Sequence, residues 1–125
     1  MHSLSFFTGN TAYAEQAEEM LQHMQNDLTR YPEGYTQWGQ LLLKLTYPSY
    51  EVAVAGKGSA KKLLAFRRNK YYPNVLWAFA DKENGVDLLQ ERWMKDVTYI
   101  YVCQNQSCQM PVEEVERALD LITYD

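Results

Sequence analysis

The repeat of apolar residues changes period at Pro48, and that change divides the chain. Ahead of it, Tyr13, Ala17, Met20, Leu21, Met24 and Leu28 recur at the spacing of one helix face. Asn10 or Thr11 is placed to cap this helix. Tyr31-Pro32 ends it, because the residue before a proline is pushed out of the helical region. A second helix over 35–46 puts Tyr35, Trp38, Leu41, Leu42 and Leu45 on its buried side. Two amphipathic helices with a short connection predict an antiparallel hairpin, so residues 1–47 read as one helical hairpin. Before it, Leu4, Phe6 and Phe7 read as the end of an earlier helix that needs a partner. The methionines read as core, and His23, with no second ligand near it, as a partly exposed helix residue.

After Pro48 the pattern shortens to apolar runs bounded by turn residues. Tyr50 to Ala55 predicts a buried strand, Ser59 to Asn69 a helix with Ala60, Leu63, Leu64 and the stem of Arg67 on one face, and Val75 to Ala80 a second strand. Asp81 to Gly85 is a polar turn, and Val86 to Trp93 a short helix or irregular segment. Thr98 to Val102, β-branched and aromatic without charge, predicts a third strand buried on both faces. Pro111 suits the first position of a closing helix, with Glu113 and Glu114 at the positive end of its dipole. Val112, Val115, Leu119 and Ile122 form its core stripe. Strands separated by helices imply parallel pairing. The expected fold is therefore α/β: the N-terminal αα hairpin, then, over 48–125, a three-stranded parallel sheet in the order 2-1-3 with flanking helices.

A chain of 125 residues suits one domain's worth of core and needs no disulfide framework to stand. Its net charge of −4 and pI near 5.2 argue against general affinity for nucleic acid or an anionic membrane, since both require a summed positive field. No apolar run approaches the roughly 20 residues that span a bilayer. The first residues lack the charged start and long apolar centre of a secretion signal, so the expected location is cytoplasmic. Aromatic residues make up 14% of the chain, ten of them tyrosine, enough to fill the interior and supply an interface.

In a parallel sheet the C-terminal strand ends share one edge, where ligands of open α/β folds bind. Two loops are expected there. Gly56, Lys57, Gly58 and Ser59 offer backbone N–H groups at a helix start and an ammonium, a weak anion-binding set without the spacing of a phosphate-binding loop. Against it stands the plainer reading of a short turn with a serine cap. Lys61, Lys62, Arg67, Arg68 and Lys70 make the following helix basic, as a solvated surface. Cys103 and Cys108 lack the two-residue spacing of thioredoxin-type exchange, and His2 and His23 do not complete a zinc set. A redox role rests on Cys108 lying near a helix start, but the expectation is a reduced pair that mainly packs, with Cys108 the more accessible. No catalytic residue, metal or cofactor is predicted.

The stretch Tyr101-Val-Cys103-Gln-Asn-Gln-Ser-Cys108-Gln-Met-Pro111-Val is the most specific motif of the chain. With Thr8-Gly9-Asn10, Tyr13, Ala17, Pro32, Glu51-Val-Ala-Val-Ala-Gly56, Leu63-Leu64 and Pro73, it resembles the C-terminal part of the thioredoxin-domain-containing proteins of the spermatogenesis-associated type. The resemblance implies a larger protein with a thioredoxin-like domain, a helical toroid similar to that of sugar epimerases and six-hairpin glycosidases, and a small α/β end piece. Residues 1–47 then correspond to the last part of the toroid and 48–125 to the end piece. Upstream domains of the same protein are the implied partners, and no family site is carried over. Three functions compete: a non-catalytic terminal module, a small anion-binding or thiol redox unit at 56–59 and 103–108, and an interaction protein that self-associates through its hairpin.

Overall fold

The computed structural model describes residues 2–83, 89, 91–105 and 107–123. The chain is mixed α/β and separates into two units, Met1–Pro48 and Ser49–Asp125.

The first unit is helical: α1 (His2–Thr8), α2 (Ala12–Arg30), a 3₁₀ turn (Pro32–Tyr35) and α3 (Thr36–Thr46). Asn10 fixes the entry to α2, its Oδ1 accepting the Ala12 N–H at 3.0 Å. Thr11 occupies the cap position without a side-chain bond. The helices follow the apolar spacing, but little of the expected stripe is buried. Ala17 and Leu21 are the buried residues of α2 and none is buried in α3, while Met20 and Leu42 are exposed.

The second unit holds β1 (Tyr50–Ala55), α4 (Ser59–Asn69), β2 (Val75–Ala80), β3 (Tyr99–Gln104), β4 (Ser107–Cys108) and α5 (Val115–Asp120). Its sheet has four strands in the order β2-β1-β3-β4, where three were expected. β1 and β2 are parallel, joined by the α4 crossover. β3 is antiparallel to β1, and so the all-parallel expectation is wrong. The reason lies in where the chain leaves β2. Ala55 is paired with Ala80 on one side and Tyr99 on the other, so β2 ends and β3 begins at the same end of the sheet. A connection that stays at one end needs no crossover helix, and it delivers the next strand antiparallel. Part of that connection, including half of the segment expected over 86–93, lies outside the described residues.

The expected closing helix also starts later. Ile100 and Val112 exchange backbone hydrogen bonds at 2.7 and 3.0 Å, so Val112 bridges to β3 and α5 begins only at Val115. On one face of the sheet α4, α5 and Ile122 just beyond it bury Val52, Val54, Ile100 and Val102 beneath Leu63, Phe66, Ala118 and Ile122. Phe66, Tyr72 and Trp77 form an aromatic cluster at its border, with Trp77 edge to face against the other two rings. Alternation along the strands puts Glu51, Ala53, Ala55, Tyr101 and Cys103 on the opposite face. All six residues of β1 are buried.

This distribution of core predicts a sharp contrast. Phe66→Ala should cost about 3–5 kcal/mol, the usual loss for emptying a buried aromatic site. Leu43→Ala, at an α3 side chain that is 53% exposed, should stay within about 0.5 kcal/mol. Urea unfolding followed by tryptophan fluorescence measures both.

Candidate functional site

Because β3 is antiparallel, the two candidate loops do not share an edge. Gly56 follows the end of β1, level with the start of β3, whereas Cys103 pairs with Glu51 near the start of β1. The expected common site is thus two separate places at opposite ends of the sheet.

At the first, the donors of the helix start have an acceptor from within the chain. Ser59 Oγ donates to Asp81 Oδ1 at 2.7 Å. That bond, followed by backbone N–H donors of Ser59, Ala60 and Gly58, holds the Asp81 carboxyl below its ordinary value against a smaller opposing effect of burial. Asp81 immediately follows β2, and the parallel β1–β2 pair brings it level with the start of α4. An anion does sit at this helix start, as the dipole favours, and it is the protein's own. Ser59 is therefore not the expected cap: Gly58, in the left-handed conformation, holds the cap position and the serine hydroxyl turns to Asp81. Gly56, at φ 134°, lies so close to Val97 and Thr98 that a Cβ would meet Thr98 Cα at 2.6 Å. The Thr98 hydroxyl donates to the Lys57 carbonyl at 2.7 Å. Lys62 is not simply solvated surface, since its ammonium donates to the carbonyls of Thr98 (3.0 Å) and Glu113 (2.6 Å) and ties α4 to both flanking loops.

At the other end, Cys103 and Cys108 face each other across the β3–β4 pair and are joined in a disulfide. The expected reduced pair is thereby corrected. Adjacent antiparallel strands bring directly opposed residues close, and here their Cα atoms are 3.9 Å apart. Cys103 is buried and Cys108 exposed, the relative access read from the sequence. With α5 beginning at Val115, no helix start lies beside Cys108. The neighbouring cation is instead Arg92, whose Nη1 donates to Cys103 Sγ at 3.4 Å and Nη2 to Cys108 Sγ at 3.1 Å. Arg92 also lies 5.3 Å from the centre of the Tyr101 ring, and its carbonyl accepts the Tyr101 hydroxyl at 3.2 Å. Burial pushes the guanidinium pKa down, opposed first by the charge of Glu51 and then by Tyr101. Burial likewise pushes the Tyr101 phenol up, with Arg92 pulling the other way. Tyr50, Val102, Gln104, Ser107 and Gln109 join the two cysteines around a cavity of about 200 Å³.

Sequence reasoning missed Arg92 and Asp81. Asp81 carried one local signal, a carboxylate directly after a strand predicted to run parallel to β1. Arg92 carried none, because the segment holding it has no regular period. Among the described residues no group of three or more His, Cys, Asp or Glu is placed to hold a metal ion, and no helix is long and apolar enough to cross a membrane. No protein-family model, curated protein or solved structure matches the chain.

Asp81 supplies a pH test. A carboxyl whose folded pKa is depressed contributes stability that is present above its unfolded value, near 3.8, and is lost as pH falls through the folded value. Ser59→Ala removes the largest cause of the depression, so the Asp81 titration should move up toward 3.8. Carboxyl carbon NMR reads the shift, and the stability difference between the two proteins should narrow as both are taken into acid.

Proposed function

We propose that this chain is a non-catalytic module of a larger protein, in which the α/β unit is a self-supporting end piece and the helical unit is one layer of a larger helical body. The observation that carries this reading is the contrast in burial between the units. The α/β unit has a closed core built on Val52, Val54, Phe66, Ile100 and Val102. The described part of the helical unit buries Ser5, Ala17 and Leu21 and leaves Leu4, Met20, Leu42 and Leu43 exposed. Two cavities of about 310 and 360 Å³ open along α2 and α3, one lined by Ala17, Met20, Trp38 and Leu41 and the other by Leu21, Leu28, Leu42 and Leu45. Helices gain most of their stability by packing an apolar face, and a layer with this little buried surface calls for neighbours.

The resemblance to the C-terminal part of the thioredoxin-domain-containing proteins gives those neighbours an identity: the preceding helices of a sugar-epimerase-like toroid in the same polypeptide. The module would then contribute packing, in the cytoplasm, with the chemistry elsewhere.

Immunodetection of native material with an antibody to the α/β unit tests this directly. The expected species is far larger than the 14.6 kDa of this chain. A native polypeptide of 14.6 kDa that forms stable oligomers would replace the module reading with that of a self-associating interaction protein. The isolated chain should itself associate, as exposed apolar faces do. Leu42→Glu with Leu43→Glu should reduce that association, as read by sedimentation equilibrium, and strict monomers of the parent chain would count against an uncovered face.

A further inference from the structure

We propose that the Cys103–Cys108 pair is a thiol–disulfide exchange site for an external dithiol, attacked at Cys108, with Arg92 as the positioning residue that stabilises Cys103 as the leaving thiolate. This role goes beyond the packing module and does not depend on it.

Access sets the direction of attack. Cys103 is 1% exposed, whereas Cys108 lies at the surface beside an open cavity of about 200 Å³. An incoming thiolate forms a bond to Cys108 Sγ as the Cys103–Cys108 bond breaks, and the electron pair of that bond stays on Cys103 Sγ. The second thiolate of the dithiol then attacks its partner sulfur in the mixed disulfide and releases Cys108 as a thiolate. The protein disulfide gains two electrons, the dithiol becomes a disulfide, and two protons pass to the protein thiols by way of solvent.

During the first step negative charge spreads over the line of three sulfurs and ends on Cys103. Two donors already face the protein members of that line, Arg92 Nη1 at 3.4 Å from Cys103 Sγ and Nη2 at 3.1 Å from Cys108 Sγ. Donors aimed in advance at a developing charge need no rearrangement when it appears. The guanidinium lies over the Tyr101 ring, and the bond from the Tyr101 hydroxyl to the Arg92 carbonyl ties the backbone of the same residue. Other groups bear on the same sulfurs. Glu51 is the register partner of Cys103, Tyr50 lines the cavity from β1, and Tyr99 meets Tyr101 edge to face along β3. Glu51 and the burial of Cys103 both oppose a thiolate, and Arg92 is the cation that offsets them. A neighbouring cation lowers a thiol's pKa, and burial in apolar surroundings raises it.

Two measurements on the full chain test the assignment. The disulfide is first opened with a monothiol, glutathione, and the mixed disulfide is located by mass spectrometry. Glutathione should be found on Cys108; its presence on Cys103 would overturn the direction of attack. The rate of reduction by dithiothreitol and the ultraviolet thiolate titration of the reduced protein are then compared for the parent, Arg92→Lys and Arg92→Ala. The parent should show a thiol titrating below the ordinary value of about 8.5. Arg92→Ala should raise that value and slow reduction by roughly threefold to tenfold, as a poorer leaving group dictates, with Arg92→Lys in between. Equal rates and equal titrations in parent and Arg92→Ala would overturn the role of Arg92. Should Arg92→Ala fail to fold, the folded Arg92→Lys and the parent titration decide the point: a parent thiol at or above about 8.5 refutes it.

Discussion

The structure of the α/β unit depends on β1 being enclosed on both faces and both edges. A strand in that position satisfies its backbone through two neighbours and can carry almost nothing but apolar or small side chains. Tyr50-Glu-Val-Ala-Val-Ala55 meets this requirement with one exception, the buried Glu51. Val52 and Val54 anchor the helix-covered face. Ala53 and Ala55 on the other face are level with Ala78 and Ala80 of β2, and all four are buried. Thr123, beyond α5, is tied back to the same strand, since Tyr50 Oη donates to its carbonyl at 2.7 Å.

From that strand follow the two polar arrangements, one at each end of the sheet. Parallel pairing with β2 places Asp81 against the first turn of α4, so the positive end of the helix dipole is answered within the chain. Antiparallel pairing with β3 places Cys103 beside Glu51, and β4 then lays Cys108 over Cys103. Arg92 approaches the second arrangement from the connection between β2 and β3, with its guanidinium over the Tyr101 ring and its carbonyl bonded to the Tyr101 hydroxyl.

The two units rest on different physics. In the α/β unit non-local strand pairing and helix packing close a core, while in the helical unit α2 and α3 follow their apolar period yet cover little of it. An amphipathic face states that something must pack there and leaves open what does.

Local sequence determined the elements. The helical period before Pro48, the apolar run of β1, the helix from Ser59 to Asn69 and the strands at 75–80 and near 99–104 were all legible, because each is written in neighbouring side chains and their spacing. The greater exposure of Cys108 was legible too, as the cysteine farther from the strand. Tertiary structure alone decided the direction of β3, the opposite placement of the two loops, the pairing of the cysteines and the partners of both polar sites. Strand direction depends on which end of the sheet the chain re-enters, a matter of the whole connection from β2 to β3 and not of any window within it. The parallel β1–β2 pair gives the helix start to Asp81, and the antiparallel β3–β4 pair sets the two sulfurs together beside Arg92, residues that lie far from them in sequence and are brought near by the fold.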